Sequence, residues 1–557
     1  MRRFITASDI EIVSLTGQKT LYVDEDDVVT SVAREMAEKL GVTILQGSVS
    51  QKELDSPAQE PSAQPPQAAP PPSIQRAPRS GPWVPEEFLG QAGREPVSAL
   101  GFDDVVLKNG TIVWPGQGIF TGDIHISQGK IAAIHYPGGT VGPREIDVSG
   151  KYVMPGIIDP HIHLGIFESF EIDAENETMA GLWGGVTTVG CYLFEKGSYV
   201  ARLDDLFRQV STYSKADVFF HLTISCQQHL EEIPQYVNEY GIRSFKIYLS
   251  GVPGIIPDID DGFMTRIYEK LAETGQRCTV CIHAENASLI RWATEEIMAK
   301  DGMSTSVQEW SETHPPIAEE EAIRRVALLT KEFDEVCTYF VHVSTKEGIE
   351  AVSEIKCDSV NVFAETTSPY LLFSIEKVKG NIPKWLPPLR SEESREALWE
   401  KLRLGRIDSL GTDSVAMSRE IKGLDKSVWE AMPNAPVMEH HLPGILTEGV
   451  ADREIPVATI VDLMTRGPAE IFGISPQKGS LLPGTDADLI VADMDRWQRV
   501  GRDQIRSPAG FSLFEGKVLT GWPVIVIKGG RIIIRDGEWV NDPAPCQVLN
   551  QSRKGNP

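Results

Sequence analysis

The sequence is poor in cysteine, with 7 in 557 residues, an odd number scattered along the chain. That excludes a disulfide framework. One C-x-x-C pair exists, Cys278 and Cys281 in CTVCIHAEN. A redox or metal pair is the sharper reading, but the apolar, β-branched surroundings favour ordinary burial in a strand. Basic charge is also scarce: 53 Lys and Arg stand against 79 Asp and Glu, a formal net charge of −26. Nucleic acid is thereby excluded as the main partner, because phosphate binding needs a basic face. A small substrate is not excluded, since its site can carry its own local field. No run of eighteen or more apolar residues occurs, so no membrane-spanning helix is expected. The start, MRRFITASDIEIV, lacks the apolar stretch of a signal peptide, so a cytoplasmic location is expected. No G-x-G-x-x-G follows a β-rich run, which removes a dinucleotide site. What remains is 41% hydrophobic and 24% charged, the balance of a globular protein large enough for more than one domain.

Residues 1–48 read as a small α+β docking or oligomerisation unit. LYVDEDD gives a short strand and turn. VVTSVAREMAEKLGV gives a helix, with Val32, Met36 and Leu40 at helical spacing and Gly41 as its stop. Residues 49–98 read as a linker. Its stretch SPAQEPSAQPPQAAPPPSIQRAPRSGP has almost no large apolar residue to offset its ordering entropy, and its prolines favour an extended spacer. Two β-rich segments follow, 99–156 and 471–545, broken by Asn-Gly and Gly turns. Neither has enough strands to stand alone, so the two are expected to pair into one small sandwich. Residues 546–557 are a tail.

Between these segments, over 157–470, β-branched runs alternate with helical stretches. Eight strands are expected, in GIIDPHIH, VTTVGCYLF, VFFHLTI, SFKIYL, TVCIHAE, YFVHVS, VNVFAE and DSLGTDS. Eight β–α alternations predict a closed (β/α)8 barrel, TIM-like, with its site at the C-terminal ends of the strands. An open doubly wound sheet is the alternative. His161 and His163 end the first strand two residues apart, so both face one side. Lys246 ends the fourth, His283 the fifth, His342 the sixth and Asp413 the eighth. An isolated polar residue closing an apolar run is unremarkable. Six of them converging on one rim, a buried Lys and Asp included, are not explained by chance burial.

This pattern resembles the amidohydrolase superfamily, and within it the cyclic amidohydrolases: dihydropyrimidinase or hydantoinase, allantoinase and dihydroorotase. The supporting stretches span residues 99–545: NGTIVWP, MPGIIDPHIHLG, GVTTV, FKIYL, HAEN, HPPIAEEEAIRR, VHVS, AETTSPYLLF, LPPLRSEESREALWEKLRLGRID, GTDS and KGSLLPGTDADLIV. The resemblance implies two divalent metal ions, zinc by ligand type, with manganese, iron or cobalt as alternatives. It implies that Lys246 is carboxylated by CO2 and bridges the two ions. His161, His163 and Asp413 would complete the more buried ion, and His283 and His342 the more exposed one. A metal-bridging hydroxide would attack the ring carbonyl, with Asp413 passing its proton to the leaving nitrogen. Asn434 matches a substrate-contacting asparagine. Relatives of this kind imply a homo-oligomer, a dimer or tetramer. Residues 1–48 are similar to N-terminal pieces of microcompartment-associated proteins, which implies a protein partner and a microcompartment association.

The family pattern is broken in two places. Gly165 stands where dihydroorotases carry a carboxylate-binding arginine. Gly251 stands where hydantoinases carry a tyrosine that supports the oxyanion, with Tyr248 nearby at a position that is more often core. The expected activity is therefore opening of a cyclic amide, imide or ureide in the hydantoinase or dihydropyrimidinase manner. Allantoinase-like or dihydroorotase-like chemistry and a non-catalytic scaffold homologue are the alternatives. His314 is expected to be structural, near the start of a helix at the mouth. His221 and His229 are expected to pack or be solvated, and His440 and His441 to lie in the loop after the eighth strand.

Overall fold

The computed structural model describes residues 104–551, apart from 140–141, 253, 301–305 and 334, together with short stretches between 4 and 46. The chain divides into two compact units, Met1–Pro72 and Ser73–Pro557. In the first, Phe4–Ile5 pairs in parallel with Val28–Val29, and Thr20–Val23 with Thr43–Gln46. Arg34, Ala37 and Leu40 are helical, and Gly41 follows at φ 68°. The helix expected from residue 28 therefore starts later: Val28 and Val29 are in a strand, the conformation that β-branched side chains favour. The expected linker, 49–98, lies outside the described residues.

In the second unit all eight expected strands are present: Ile157–His163, Val186–Leu193, Asp217–Thr223, Ser244–Tyr248, Cys278–His283, Val336–Phe340, Val362–Thr367 and Ser409–Gly411. They are parallel and lie side by side in chain order. Ser414–Val415 resumes the eighth strand and pairs with the first, Ile162 with Ser414 and His163 with Val415. The two ends of the sheet are thus one segment, and the barrel closes. Its strands are covered on both faces, which is why they read as continuous apolar runs and not as alternations. Val186–Leu193 and Asp217–Thr223 are buried at every position. Helices fill the outer ring, and several start where the sequence supplies a cap. Asp260, Asn286, Thr345 and Ser391 each accept a backbone N–H in the first turn of the helix that follows.

The two flanking segments pair as expected. Tyr152–Pro155 lies antiparallel to Leu489–Arg499 and parallel to Val105–Trp114 within one nine-stranded sheet. Val105, Leu107, Ile124, Leu489, Val491 and Ile527 form its core. Pro155 leads through Gly156 straight into the first barrel strand, so the sheet anchors the backbone that carries His161 and His163. A buried ionic cluster makes a second tie: Asp217, at the start of the third strand, meets Lys478 and Lys528, which also meet Asp488. Burial opposes ionisation of Asp217, but Lys528 and Lys478 outweigh it and hold the carboxyl well below its usual range.

Candidate metal centre

The six polar residues meet at the barrel mouth, although Lys246, expected to end its strand, lies two residues before the end of Ser244–Tyr248. His161 and His163 project from one face of the first strand, their ring centroids 5.4 Å apart. Asp413 reaches both: Oδ1 lies 3.1 Å from His163 Nε2 and 3.3 Å from His161 Nε2. The nitrogens and oxygen available in this trio lie within 4.8 Å of one another. On the neighbouring strands His283 Nδ1 stands 3.0 Å from His342 Nε2. The rings of His161 and His342, one from each group, are 5.5 Å apart. Lys246 is fully buried beside both groups, its Nζ 5.0 Å from the Tyr192 ring centre and 4.7 Å from that of Tyr248.

Backbone geometry aims two of these side chains. Asp413 has φ 54° and His342 φ 43°, left-handed conformations that non-glycine residues seldom adopt. Asp413 sits where the eighth strand breaks between Ser409–Gly411 and Ser414–Val415. Such strain of about 1–3 kcal/mol is held only where the surroundings fix it, and it gathers at functional sites. The surroundings here are specific. Asp159 accepts from Thr412 N at 3.1 Å, Thr412 Oγ1 at 2.6 Å and His161 N at 3.2 Å, binding the first strand to the eighth.

Burial favours the neutral imidazole, the form that ligates, at His161, His283 and His342. Burial lowers His161 and His342 well below the ordinary histidine value and lowers His283 as well. Carboxylates fix their orientation. Glu365 Oε1 meets His161 Nδ1 at 2.9 Å, which directs Nε2 toward Asp413. Glu285 Oε2 meets His283 Nε2 at 3.0 Å, leaving Nδ1 toward His342. Glu285 is held in turn by His314 Nδ1 at 3.1 Å and Arg390 Nη2 at 3.3 Å. Burial opposes its ionisation, yet His314 and His283 keep its carboxyl well below the usual range.

Whether a metal suits this site is decided by atoms that have nothing else to do. Among the described residues, His161 Nε2 and Lys246 Nζ are buried without a hydrogen-bond partner. Burial pulls the Lys246 ammonium down to about 8. Burial also pushes Glu365 up to about 8, so its ionised form calls for a positive charge nearby. A lone-pair nitrogen, a lysine whose ammonium burial disfavours and a carboxylate short of a counter-charge are what a divalent cation would satisfy. The residues present fit the group. His161, His163 and Asp413 would hold one ion, and His283 and His342 a second.

Other expected residues fall as follows. Asn434, expected at the substrate, turns its amide to Asp413: Nδ2 donates to Oδ2 at 2.6 Å and to the carbonyl oxygen at 2.9 Å. Its own Oδ1 accepts from Leu386 N at 3.0 Å. His314 is buried just before helix Pro316–Thr330, where it steadies Glu285. His221 is buried between Ser244 Oγ and the Pro160 carbonyl, and His229 between Ser225 and the Gly197 carbonyl. His440 and His441 are not in a loop. They lie in helix Met438–Ile445, every residue of which is buried. Cys278 and Cys281 are free and buried in the fifth strand.

Four contributors were not picked out from the sequence: Asp159, Glu285, Glu365 and Arg390. Three carried a signal. Asp159 precedes His161 by the same two-residue step that joins His161 to His163, and Glu285 follows His283 by it. Glu365 sits inside the seventh strand, an acidic residue in an apolar run. Arg390 lies in a connection distant in sequence, and nothing local marks it.

Comparison with known proteins agrees with this geometry. The model of the Amidohydrolase family matches residues 152–533. The chain is similar to a D-hydantoinase of Geobacillus stearothermophilus, 32% identical over 464 residues, 81% of this chain and 97% of that protein. It is 33% identical to an L-hydantoinase of Paenarthrobacter aurescens over 449 residues, 78% of this chain and 95% of the relative. A crystal structure of a D-hydantoinase superposes with TM-score 0.75 at 30% identity, covering 82% of this chain and all 100% of the other.

Proposed function

Because the chain belongs to the amidohydrolase family, we propose that it is a metal-dependent hydrolase that opens a cyclic amide or imide of the hydantoin or dihydropyrimidine type. The observation that carries this reading is the pair of buried ligand atoms without a hydrogen bond, His161 Nε2 and Lys246 Nζ, beside His163, His283, His342 and Asp413. Divalent ions bound there, zinc by donor type, would acidify water toward neutral pH and polarise the ring carbonyl.

The chain's own residues do the rest. Lys246, lowered to about 8, has a larger free-amine fraction at neutral pH than an ordinary lysine. Its nitrogen lone pair bonds to the carbon of CO2, one N–H proton leaves, and the resulting carbamate offers two anionic oxygens where the amine offered none. Asp413 accepts the proton of the attacking water and returns it to the ring nitrogen as the C–N bond breaks, a transfer that contributes about 10²–10⁴ in rate. Asn434 holds Asp413 Oδ2 and so fixes which oxygen faces the histidines. The product is an open chain bearing a new carboxylate. Gly165, at φ 76°, offers no side chain to hold a substrate carboxylate, which favours uncharged rings over dihydroorotate.

We further read residues 157–470 as the catalytic domain and 99–156 with 471–545 as its supporting sheet. Residues 1–48 are read as a docking piece on a linker, and the assembly as a cytoplasmic homo-oligomer. Among the described residues, no helix is long and apolar enough to cross a membrane. The test is turnover of hydantoin, dihydrouracil, allantoin and dihydroorotate by protein supplied with zinc and bicarbonate. Ring opening of hydantoin or dihydrouracil is expected, lost in Asp413→Asn. Inactivity on all four sinks the reading. Removal of residues 1–82 should leave turnover unchanged.

A further inference from the structure

Attack on a ring carbonyl places negative charge on its oxygen, and a protein donor aimed at that oxygen speeds the step. The loop after the fourth strand cannot provide one from position 251. Gly251 has φ 64°, and a Cβ there would lie 2.7 Å from the Ile256 carbonyl oxygen and 2.8 Å from Asp258 N. Both obstacles are backbone, and Val252 N donates to the same Ile256 oxygen at 2.8 Å, pinning the loop in place. No side chain of any kind fits there.

Three residues earlier the strand itself offers a phenol. Tyr248 ends Ser244–Tyr248, and Lys246 lies two residues before it. In a strand that spacing puts both side chains on one face, so Tyr248 stands one step nearer the barrel mouth than Lys246. Tyr248 pairs in register with His283, and the two rings stack at 5.5 Å with an interplanar angle of 29°. The phenol therefore rests on one expected ligand and over another. Among the described residues its hydroxyl has no hydrogen-bond partner, and it is not one of the polar atoms sealed from solvent. The other phenols of this region differ. Tyr339 bonds to Ser409 Oγ and Tyr370 to the Pro387 carbonyl, while the Tyr192 hydroxyl is sealed inside the barrel.

We propose that Tyr248 is a catalytic residue whose hydroxyl donates a hydrogen bond to the carbonyl oxygen of the bound ring as that oxygen becomes an oxyanion. The hydroxyl keeps its proton throughout. The C–N bond breaks as the carbonyl re-forms, and the hydrogen bond relaxes with it. The inference rests on the ring-opening function proposed above, and goes beyond it by naming the protein donor.

The experiment is Tyr248→Phe in the full chain, with kcat and KM on the best ring substrate, metal content by elemental analysis, and calorimetric affinity for the open-chain product. A donor that acts only in the transition state gives a kcat lower by roughly 10²–10³. KM, metal content and product affinity then stay within about threefold, because ground-state contacts are kept. An unchanged kcat overturns the proposal and leaves Tyr248 as packing. A fall in kcat matched by loss of metal or of product affinity also overturns it, since the phenol would then be structural. Absence of turnover in the unaltered protein overturns the ring-opening function itself, and this proposal with it.

Discussion

Replacing Glu365 should weaken metal binding while making the metal-free protein more stable. Its Oε1 lies 2.9 Å from His161 Nδ1, and its other oxygen, Oε2, is buried without a partner. Burial pushes the carboxyl up to about 8. In the metal-free protein the group is thus a buried acid with one oxygen unsatisfied, a cost of about 1–3 kcal/mol. With a cation on His161, the same carboxylate strengthens the imidazole as a ligand. Loss of such a partner costs 10- to 100-fold in metal affinity, or about 1.4–2.7 kcal/mol. Glu365→Gln keeps an acceptor for Nδ1–H and loses the charge, so roughly tenfold is expected. Glu365→Leu loses both, so the loss approaches a hundredfold. Chelator competition measures the first effect, and thermal unfolding of the chelated protein measures the second. Unchanged metal affinity in both variants would refute the reasoning. So would a metal-free Glu365→Leu protein that melts well below the unaltered one.

Three further outcomes follow from the same geometry. Asn434→Ala removes both donors to Asp413; kcat should fall by about 10- to 100-fold with metal content kept, as positioning of a proton-transfer group requires, and an unchanged kcat would exclude that role. Glu177 is buried at Ser507 Oγ, 2.7 Å away, and burial raises it to about 8. Its folded value lies above the unfolded one, so its penalty is absent below about pH 4 and grows as pH rises toward 8; Glu177→Gln should raise the melting temperature at pH 8.5 and leave it unchanged at pH 4.5, and equal shifts at both would contradict this. Asp217 is held below the usual range despite burial. Its contribution is present above its unfolded value of about 4 and is lost as pH falls below that. Asp217→Asn should cost about 3–5 kcal/mol at pH 7, measured by urea unfolding, because Lys478 and Lys528 are left buried without it; a neutral substitution would show that the cluster carries no net stability.

The barrel was legible because its strands are short apolar runs, several of which carry a polar residue at or near the C-terminal end. Buried on both faces, such a run has little other reason to hold Lys246, His283 or Asp413 there. The site was legible for the same reason: parallel strands bring all their C-terminal ends to one rim. Side chains that act on other side chains were harder to read. Glu365 reaches His161 across the barrel, and Arg390 reaches Glu285 from a connection 105 residues away, so no spacing in the chain encodes either contact. His440 and His441 look like loop residues beside MPNAPV, and only their burial places them in a helix. Asn434 could be located but not its partner, since its φ of 61° and the turn toward Asp413 depend on backbone that composition does not specify. Tyr248 reads as core from its neighbours, and it is buried. What the sequence cannot convey is that its hydroxyl is left free at the mouth.

If Lys246, as a carbamate, helps the histidines and Asp413 hold two metal ions, metal content must depend on it. Elemental analysis of metal per chain tests this most directly, on the unaltered protein and on Lys246→Ala, both loaded with zinc in bicarbonate. The account predicts about two ions per chain in the first, and one or fewer in the variant with turnover lost. Equal metal content in the two proteins, or less than one ion in the unaltered chain after loading, would contradict it.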